Sequence, residues 1–251
     1  MTRVQTGTEG TRVQTGIEGL DELLRGGFPE NTVNLVSGPA GSAKSLLGLQ
    51  FLYNGASKYG ETGVYITLEE SRENIERALK VYNMDYEKYE ADGKFYLIDL
   101  GDLRKECNID EEMEVGLLAF STLDEFLQKH LNVTGAKRIV IDSLTAVGLY
   151  YQSVEILRRE MFRFSRMLKD HRVTSLLITE SLEGQGALTR YGIEQFIADS
   201  FIVMGLEDVK GELRRTITVR KMRFTKHDTA IHPLLITNSG IEVSAEERVL
   251  R

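Results

Sequence analysis

Gly38-Pro39-Ala40-Gly41-Ser42-Ala43-Lys44-Ser45 follows the apolar run Val33-Asn34-Leu35-Val36-Ser37 and precedes a stretch carrying Leu46, Leu47, Leu49, Phe51 and Leu52. A short β-prone run, a glycine turn and an amphipathic helix, in that order, are the setting of a phosphate-binding P-loop. The run before the loop suits a buried central strand. The loop aims backbone N–H groups at one point above the positive end of the following helix. In that arrangement Gly38, Gly41, Ser42, Ala43, Lys44, Ser45 and Leu46 surround the phosphates. Lys44 reaches the outer ones, and the Ser45 hydroxyl ligates Mg²⁺.

One letter departs from the consensus, which asks for glycine where Ala43 stands. The helix is expected from about Ala43 to Tyr59, with Gly60 as its stop. Gly41 is expected to be left-handed so that successive N–H groups converge. Ala43 is expected in the first helical turn with negative φ, where alanine is favoured over glycine. A positive φ there would instead cost about 1–2 kcal/mol.

Outward from the loop, strand and helix patterns alternate. Gly63 to Leu68 reads as a strand, and Ser71 caps a helix running to about Asn83. Phe95 to Ile98 is a strand, and Asp99 to Glu114 reads as a polar surface excursion. A helix from about Val115 to Leu131, a strand Arg138 to Ile141, a helix Val154 to Lys169 and a strand Ser175 to Ile178 follow. Ile156, Leu157, Phe164 and Leu168 read as the core face of the Val154 helix, with Arg158, Arg159, Arg163, Arg166 and Lys169 as its solvent face. The last third changes to hairpin signals: Phe201–Met204 with Arg215–Val219, then Leu234–Thr237 with Ile241–Val243 around Asn238-Ser239-Gly240. The expected fold is α/β, a P-loop NTPase core with a mostly parallel sheet, helices on both faces and antiparallel C-terminal strands.

The chain has 251 residues, enough for one large α/β domain, with a net charge of −7 and ordinary hydrophobic content of 41%. An acidic surface is not built to collect nucleic acid. The single cysteine, Cys107, forbids an internal disulfide and suggests a reducing compartment. With no membrane-length apolar run, a cytoplasmic protein is expected. At the N-terminus Thr2-Arg3-Val4-Gln5-Thr6-Gly7-Thr8-Glu9-Gly10 is repeated almost letter for letter as Thr11 to Gly19. Residues 1–10 are read as a duplicated segment that packs less well than its second copy, and 11–251 as a single domain.

Three further groups could complete a nucleotide site. Asp142 ends the apolar strand Arg138-Ile139-Val140-Ile141, the place of an aspartate that holds Mg²⁺. Glu69 and Glu70 end the strand after the P-loop helix, where one could polarise an attacking water, or both could simply open the Ser71 helix. Thr179-Glu180 ends another strand, and the glycine-containing segment Ser181 to Tyr191 is expected to be a mobile loop nearby. Lys221-Met222-Arg223 with Thr225-Lys226-His227 is either a solvated basic turn or a device that reaches a neighbour's triphosphate.

Taken together the chain resembles the RecA superfamily and, within it, the KaiC-like ATPases. The resemblance rests on Thr15-Gly16-Ile17-Glu18-Gly19-Leu20-Asp21-Glu22-Leu23-Leu24, Gly26-Gly27-Phe28-Pro29, the P-loop, Leu68-Glu69-Glu70, Ile141-Asp142-Ser143-Leu144-Thr145, Arg190-Tyr191-Gly192-Ile193-Glu194, Gly211-Glu212-Leu213, and Lys221-Met222-Arg223 with His227. It implies a RecA-type core, ATP or ADP with Mg²⁺, and a homo-oligomeric ring, typically hexameric. It implies Glu69 and Glu70 as catalytic acids. It also implies Lys221, Arg223 and His227 as contacts to the adjacent subunit's nucleotide, with Met222 and Thr225 lining that edge. The clock members of the family carry two such domains, and this chain has room for one. The positions of their phosphorylated Ser-Thr pair fall here on Gln195 and Phe196, so autokinase activity is not carried over. The expected function is ATP hydrolysis in a ring with a regulatory or signalling role, toward a protein partner that the residues do not identify. A DNA-binding recombinase paralogue and a nucleotide-gated assembly module with little turnover are the alternatives.

Overall fold

A computed structural model of the chain describes residues 10–107, 119–182 and 187–249. The first copy of the N-terminal duplication, the Asp110–Glu114 acidic cluster and residues 183–186 lie outside the described residues. Strand β3 (Val33–Gly38) is buried along its whole length and sits mid-sheet between β7 (Thr174–Glu180) and β8 (Ser200–Val209), parallel to both. Outward on the β7 side come β6 (Arg138–Asp142), β4 (Gly63–Thr67) and β5 (Phe95–Ile98), all parallel. On the β8 side come β9 (Glu212–Met222), β10 (His232–Thr237) and β11 (Gly240–Val243), each antiparallel to its predecessor. The nine-stranded order is β11-β10-β9-β8-β3-β7-β6-β4-β5. This is the mixed α/β architecture expected, with the two hairpins extending one edge.

Alternation along the strands explains the layering. Val33 and Leu35, Val64 and Ile66, and Ile139 and Ile141 feed one apolar cluster, while Val36, Tyr65 and Val140 feed the other. Successive side chains on a strand point to opposite faces, so a sheet covered on both sides needs apolar residues at every position. Helix α1 (Leu20–Leu23), α2 (Lys44–Tyr59), α3 (Arg72–Val81) and α4 (Tyr86–Ala91) cover the second face. Helices α5 (Leu100–Cys107), α6 (Phe120–Thr134), α7 (Leu144–Gly148) and α8 (Val154–Asp170) cover the first. A short α9 (Glu194–Ile197) leads into β8.

Boundaries follow local chemistry. Ser71 caps α3 by accepting from the Asn74 N–H, and Gly60 closes α2 in the left-handed conformation, both as expected. The Asp99–Glu114 stretch is not simply an excursion, because it opens with α5, whose Leu103 is fully buried. On α8, Leu157, Phe164 and Leu168 are core, but Ile156 is 44% exposed, because Leu157 takes the inward position beside it. The second copy of the duplication is docked: β1 (Arg12–Val13) pairs with β2 (Phe28–Pro29), and the Asp21 carboxylate accepts from the Thr15 and Gly16 N–H groups.

Candidate functional site

The P-loop joins β3 to α2 at the C-terminal edge of the parallel strands, where open α/β sheets bind ligands. Gly41 is left-handed at φ 78°, as expected, and a Cβ there would meet nothing within 4 Å. Gly38 is different, since a Cβ would lie 2.4 Å from the Met204 carbonyl oxygen and 2.6 Å from Ser42 Oγ. The expectation for Ala43 fails. It has φ 76° and ψ 28°, and it is the left-handed N-cap of α2 rather than part of its first turn. The chain has to reverse twice between Gly38 and Lys44 to aim its N–H groups inward, and the second reversal falls on residue 43. Alanine pays roughly 1–2 kcal/mol for it.

No side chain caps α2, no acid stands in its first turn, and the first intrahelical bond is Leu47 N–H to the Ala43 oxygen. The N–H groups of residues 43–46 therefore face the loop without intrahelical partners. Leu46 can offer only that backbone group, because its side chain is buried in the core. Ser42 Oγ donates to the Pro39 carbonyl at 2.8 Å, and Lys44 Nζ folds back to the same oxygen at 2.9 Å. Burial lowers the Lys44 pKa, opposed by the charges of Glu180, Asp142 and Glu69.

Those acids lie near enough to the lysine to favour its charged form. Asp142 ends β6 almost fully buried, accepts from the Tyr65 hydroxyl at 2.7 Å and lies close to Ser45. Desolvation raises its pKa against the pull of Ser45, Tyr65 and Lys44. Glu69 stands just past β4, partly open to solvent and partly covered, and its Oε2 accepts from Ser143 Oγ at 2.6 Å. Partial burial of that carboxyl raises its pKa, and Glu180 and Asp142 add to the rise. Glu70 is exposed, and its charge reaches the Tyr65 phenol. Its backbone N–H and carbonyl are tied to the Thr67 hydroxyl at 3.1 and 3.0 Å. Glu180 also faces Lys44, and its N–H donates to Thr145 Oγ1. The segment after β7 lies beside the loop: Ser181 N–H donates to the Gly38 oxygen, and Ser37 Oγ donates to the Leu188 carbonyl.

Lys221, Arg223, Thr225 and His227 are not part of this cluster. β9 runs antiparallel to β8, and Met222 pairs with Ser200 at the strand end opposite the P-loop. Six residues of β3 separate the two edges, about 20 Å at roughly 3.3 Å per residue. Lys221 Nζ donates to the Gln195 and Ala198 carbonyls, and burial lowers its pKa. Arg223 lies 3.5 Å from Asp199, which Lys169 also holds at 2.8 Å. His227 Nδ1 lies 3.1 Å from the Thr225 oxygen, and its buried Nε2 has no partner among the described residues. Met222 does not line the edge with its side chain, which is buried and receives Arg12 Nη1 at 3.7 Å.

Three residues near these sites were not anticipated. Arg215 Nε donates to the Gly41 carbonyl at 2.9 Å, Arg12 Nη2 donates to Thr225 Oγ1 at 2.8 Å, and Tyr65 contacts Asp142. Only cross-strand register reveals such contacts.

The residues present fit a nucleoside triphosphate and a hard cation. A helix N-terminus without a cap, two left-handed loop residues and a partly desolvated lysine suit phosphates. Ser45 and Asp142 give an all-oxygen donor pair, and no group of three or more His, Cys, Asp or Glu placed to hold a metal ion by itself exists among the described residues. That pattern suits Mg²⁺ shared with phosphate rather than a metal caged by protein alone.

Residues 13–248 match the family model described as ATPase: KaiC. The chain belongs to the KaiC ATPase family. It is 37% identical over 228 residues to the circadian clock oscillator protein KaiC of Nostoc sp., covering 90% of this chain and 42% of that protein. Against KaiC of Synechococcus elongatus the identity is 34% over 228 residues, with the same coverage. The chain thus spans less than half the length of these curated relatives. A crystal structure of a KaiC-like protein from Pyrococcus horikoshii superposes with a TM-score of 0.81 at 36% identity, covering 93% of this chain and 99% of that one. These likenesses bear out the RecA-type core and the KaiC-like assignment. No helix among the described residues is long and apolar enough to cross a membrane.

Proposed function

We propose that this KaiC-family chain binds ATP with Mg²⁺ and hydrolyses it in a homo-oligomeric ring whose sites form between subunits. The observation that carries this reading is the split across the sheet. Lys44, Ser45, Asp142 and Glu69 gather at one edge, while Lys221 and Arg223 lie at the other, too far away to serve the same phosphates. A head-to-tail ring brings the second edge of one subunit against the first edge of the next.

Within the site, the loop N–H groups and Lys44 hold the β- and γ-phosphates, and Arg215 braces the loop through Gly41. Ser45 and Asp142 would hold Mg²⁺, which when bound would supply charge neutralisation to the phosphates. Glu69, oriented by Ser143, accepts a proton from the attacking water. Lys221 and Arg223 of a neighbour add positive charge where the transition state gains negative charge. A regulatory role and a hexameric ring in the cytoplasm fit the family likeness, and the domain 11–251 is read as one unit.

The test is specific ATPase activity against subunit concentration, with oligomer size followed by light scattering. Activity per subunit should rise as the ring forms and fall on dilution. Turnover by a monomer at full rate would overturn the shared site. Absence of turnover at every concentration would favour a nucleotide-gated assembly module instead.

A further inference from the structure

Tyr65 is fully buried in β4 and points toward α2, away from Val64 and Ile66 on either side of it. Gly48 of α2 lies against its ring, in a space closed by Val140 and Ile178. A Cβ there would meet Val140 Cγ1 at 2.9 Å, Ile178 Cδ1 at 3.2 Å and the Tyr65 ring at 3.4 Å. Phenylalanine would fill the same space, so packing alone does not call for the hydroxyl. The hydroxyl donates to Asp142 Oδ2 at 2.7 Å. Ser45, the first-turn hydroxyl of α2, lies close to both the phenol and the carboxylate. The Asp142 backbone is fixed as well, its carbonyl accepting the Leu68 N–H at 2.7 Å.

We propose that Tyr65 is a positioning residue for the metal end of the site, its hydroxyl holding Asp142 and Ser45 in the arrangement that receives Mg²⁺. The inference rests on the nucleotide reading above and deepens it. A buried carboxylate on a short side chain can rotate about its terminal bond. A donor on Oδ2 stops that rotation and leaves Oδ1 available to a cation.

The experiment compares the full chain with Tyr65→Phe. Binding of a fluorescent ADP analogue is titrated in EDTA and at increasing Mg²⁺, alongside thermal melting without nucleotide. Affinity in EDTA should stay within about twofold. The Mg²⁺ concentration that half-restores tight binding should rise roughly tenfold, the scale of one hydrogen bond to a charged group. In an Asp142→Asn background the same substitution should change the Mg²⁺ requirement by less than twofold, because the effect passes through the carboxylate. An unchanged Mg²⁺ requirement in Tyr65→Phe, with a parent that does respond to Mg²⁺, overturns the inference alone. A parent that gains nothing from Mg²⁺ overturns both the inference and the nucleotide reading beneath it. If Tyr65→Phe does not fold, 3-fluorotyrosine placed at position 65 keeps the hydrogen bond. Its fluorine resonance should shift when Mg²⁺ is added to the ADP-bound protein, and a resonance that stays put overturns the inference.

Discussion

Replacing Glu69 by glutamine separates the two adjacent acids that sequence alone treats as a pair. The amide keeps an oxygen that can accept from Ser143 Oγ, now 2.6 Å from the carboxylate, so the turn after β4 should hold its shape. What disappears is the capacity to take a proton. A positioned general base contributes about 10²- to 10⁴-fold, or roughly 2.7–5.5 kcal/mol of barrier. Phosphate release at saturating ATP should therefore fall by at least ~100-fold, with ADP affinity within a few-fold of the parent. Glu70→Gln should cost less than ~10-fold, because only the backbone of Glu70 is held in this turn, by Thr67. The pH profile adds an independent reading. Burial raises the Glu69 pKa above that of an ordinary glutamate. Hydrolysis needs the ionised form, so activity is lost as pH falls through that raised value, earlier than for an exposed carboxylate. The Glu69→Gln residual rate should lack that acidic limb. Glu69→Gln retaining more than a tenth of the turnover, or Glu70→Gln losing more than Glu69→Gln, would refute the assignment.

Two stability experiments probe the scaffold. Ala43→Gly relieves about 1–2 kcal/mol of left-handed strain. It loses about 0.4 kcal/mol from a half-buried methyl and about 0.4–1 kcal/mol to the freer unfolded chain. These terms net to between about −0.4 and +1.2 kcal/mol, so its melting temperature should lie between about 1 °C below and 5 °C above the parent's; a drop of about 2 °C or more, as for an ordinary helical Ala→Gly change, would contradict the left-handed geometry. Asp199→Ala removes the partner of Lys169 at 2.8 Å and of the Val33 N–H at 3.0 Å. Because Lys169 and Arg223, the two cations paired with Asp199, can turn to solvent, the expected cost is about 2–3 kcal/mol, short of a fully buried pair. Denaturant unfolding showing less than ~1 kcal/mol would mean that Asp199 does not organise this edge.

The loop, its flanking strand and helix, and the alternation of elements were legible because each is written in contiguous residues. Period-two and period-3.6 patterns report local burial, and Ser71 and Gly60 punctuate helices by their own chemistry. Ala43 was misread for the same reason. Alanine beside Lys44-Ser45 looks helical, while the turn that sets its φ is fixed by where β3 ends and α2 begins. Tyr65 reads as one more apolar residue in Val64-Tyr65-Ile66. Its role depends on β4 lying beside β6, with Thr67 opposite Asp142. Arg215 reaches Gly41 only because β9 folds back along β8 with Gly205 opposite Thr216. The short helices α4, α7 and α9, at four to six residues, are too brief for a periodic signal.

The strain at Ala43 bears on how the loop is held when no phosphate is present. A non-glycine residue stays left-handed only when its surroundings leave no alternative. Here the constraint comes from both sides. Gly38 is pinned beneath Met204 and Ser42, and the Ala43 carbonyl is committed to the first turn of α2. Between them Pro39 accepts from both Ser42 and Lys44, and Arg215 holds the Gly41 oxygen. The loop is therefore shaped by its own contacts before a ligand arrives, and phosphate would have to compete with Pro39 for the Lys44 ammonium. That competition, more than the alanine methyl, should set nucleotide affinity. Substituting Arg215, which frees the loop without touching Lys44, should then loosen binding more than Ala43→Gly tightens it.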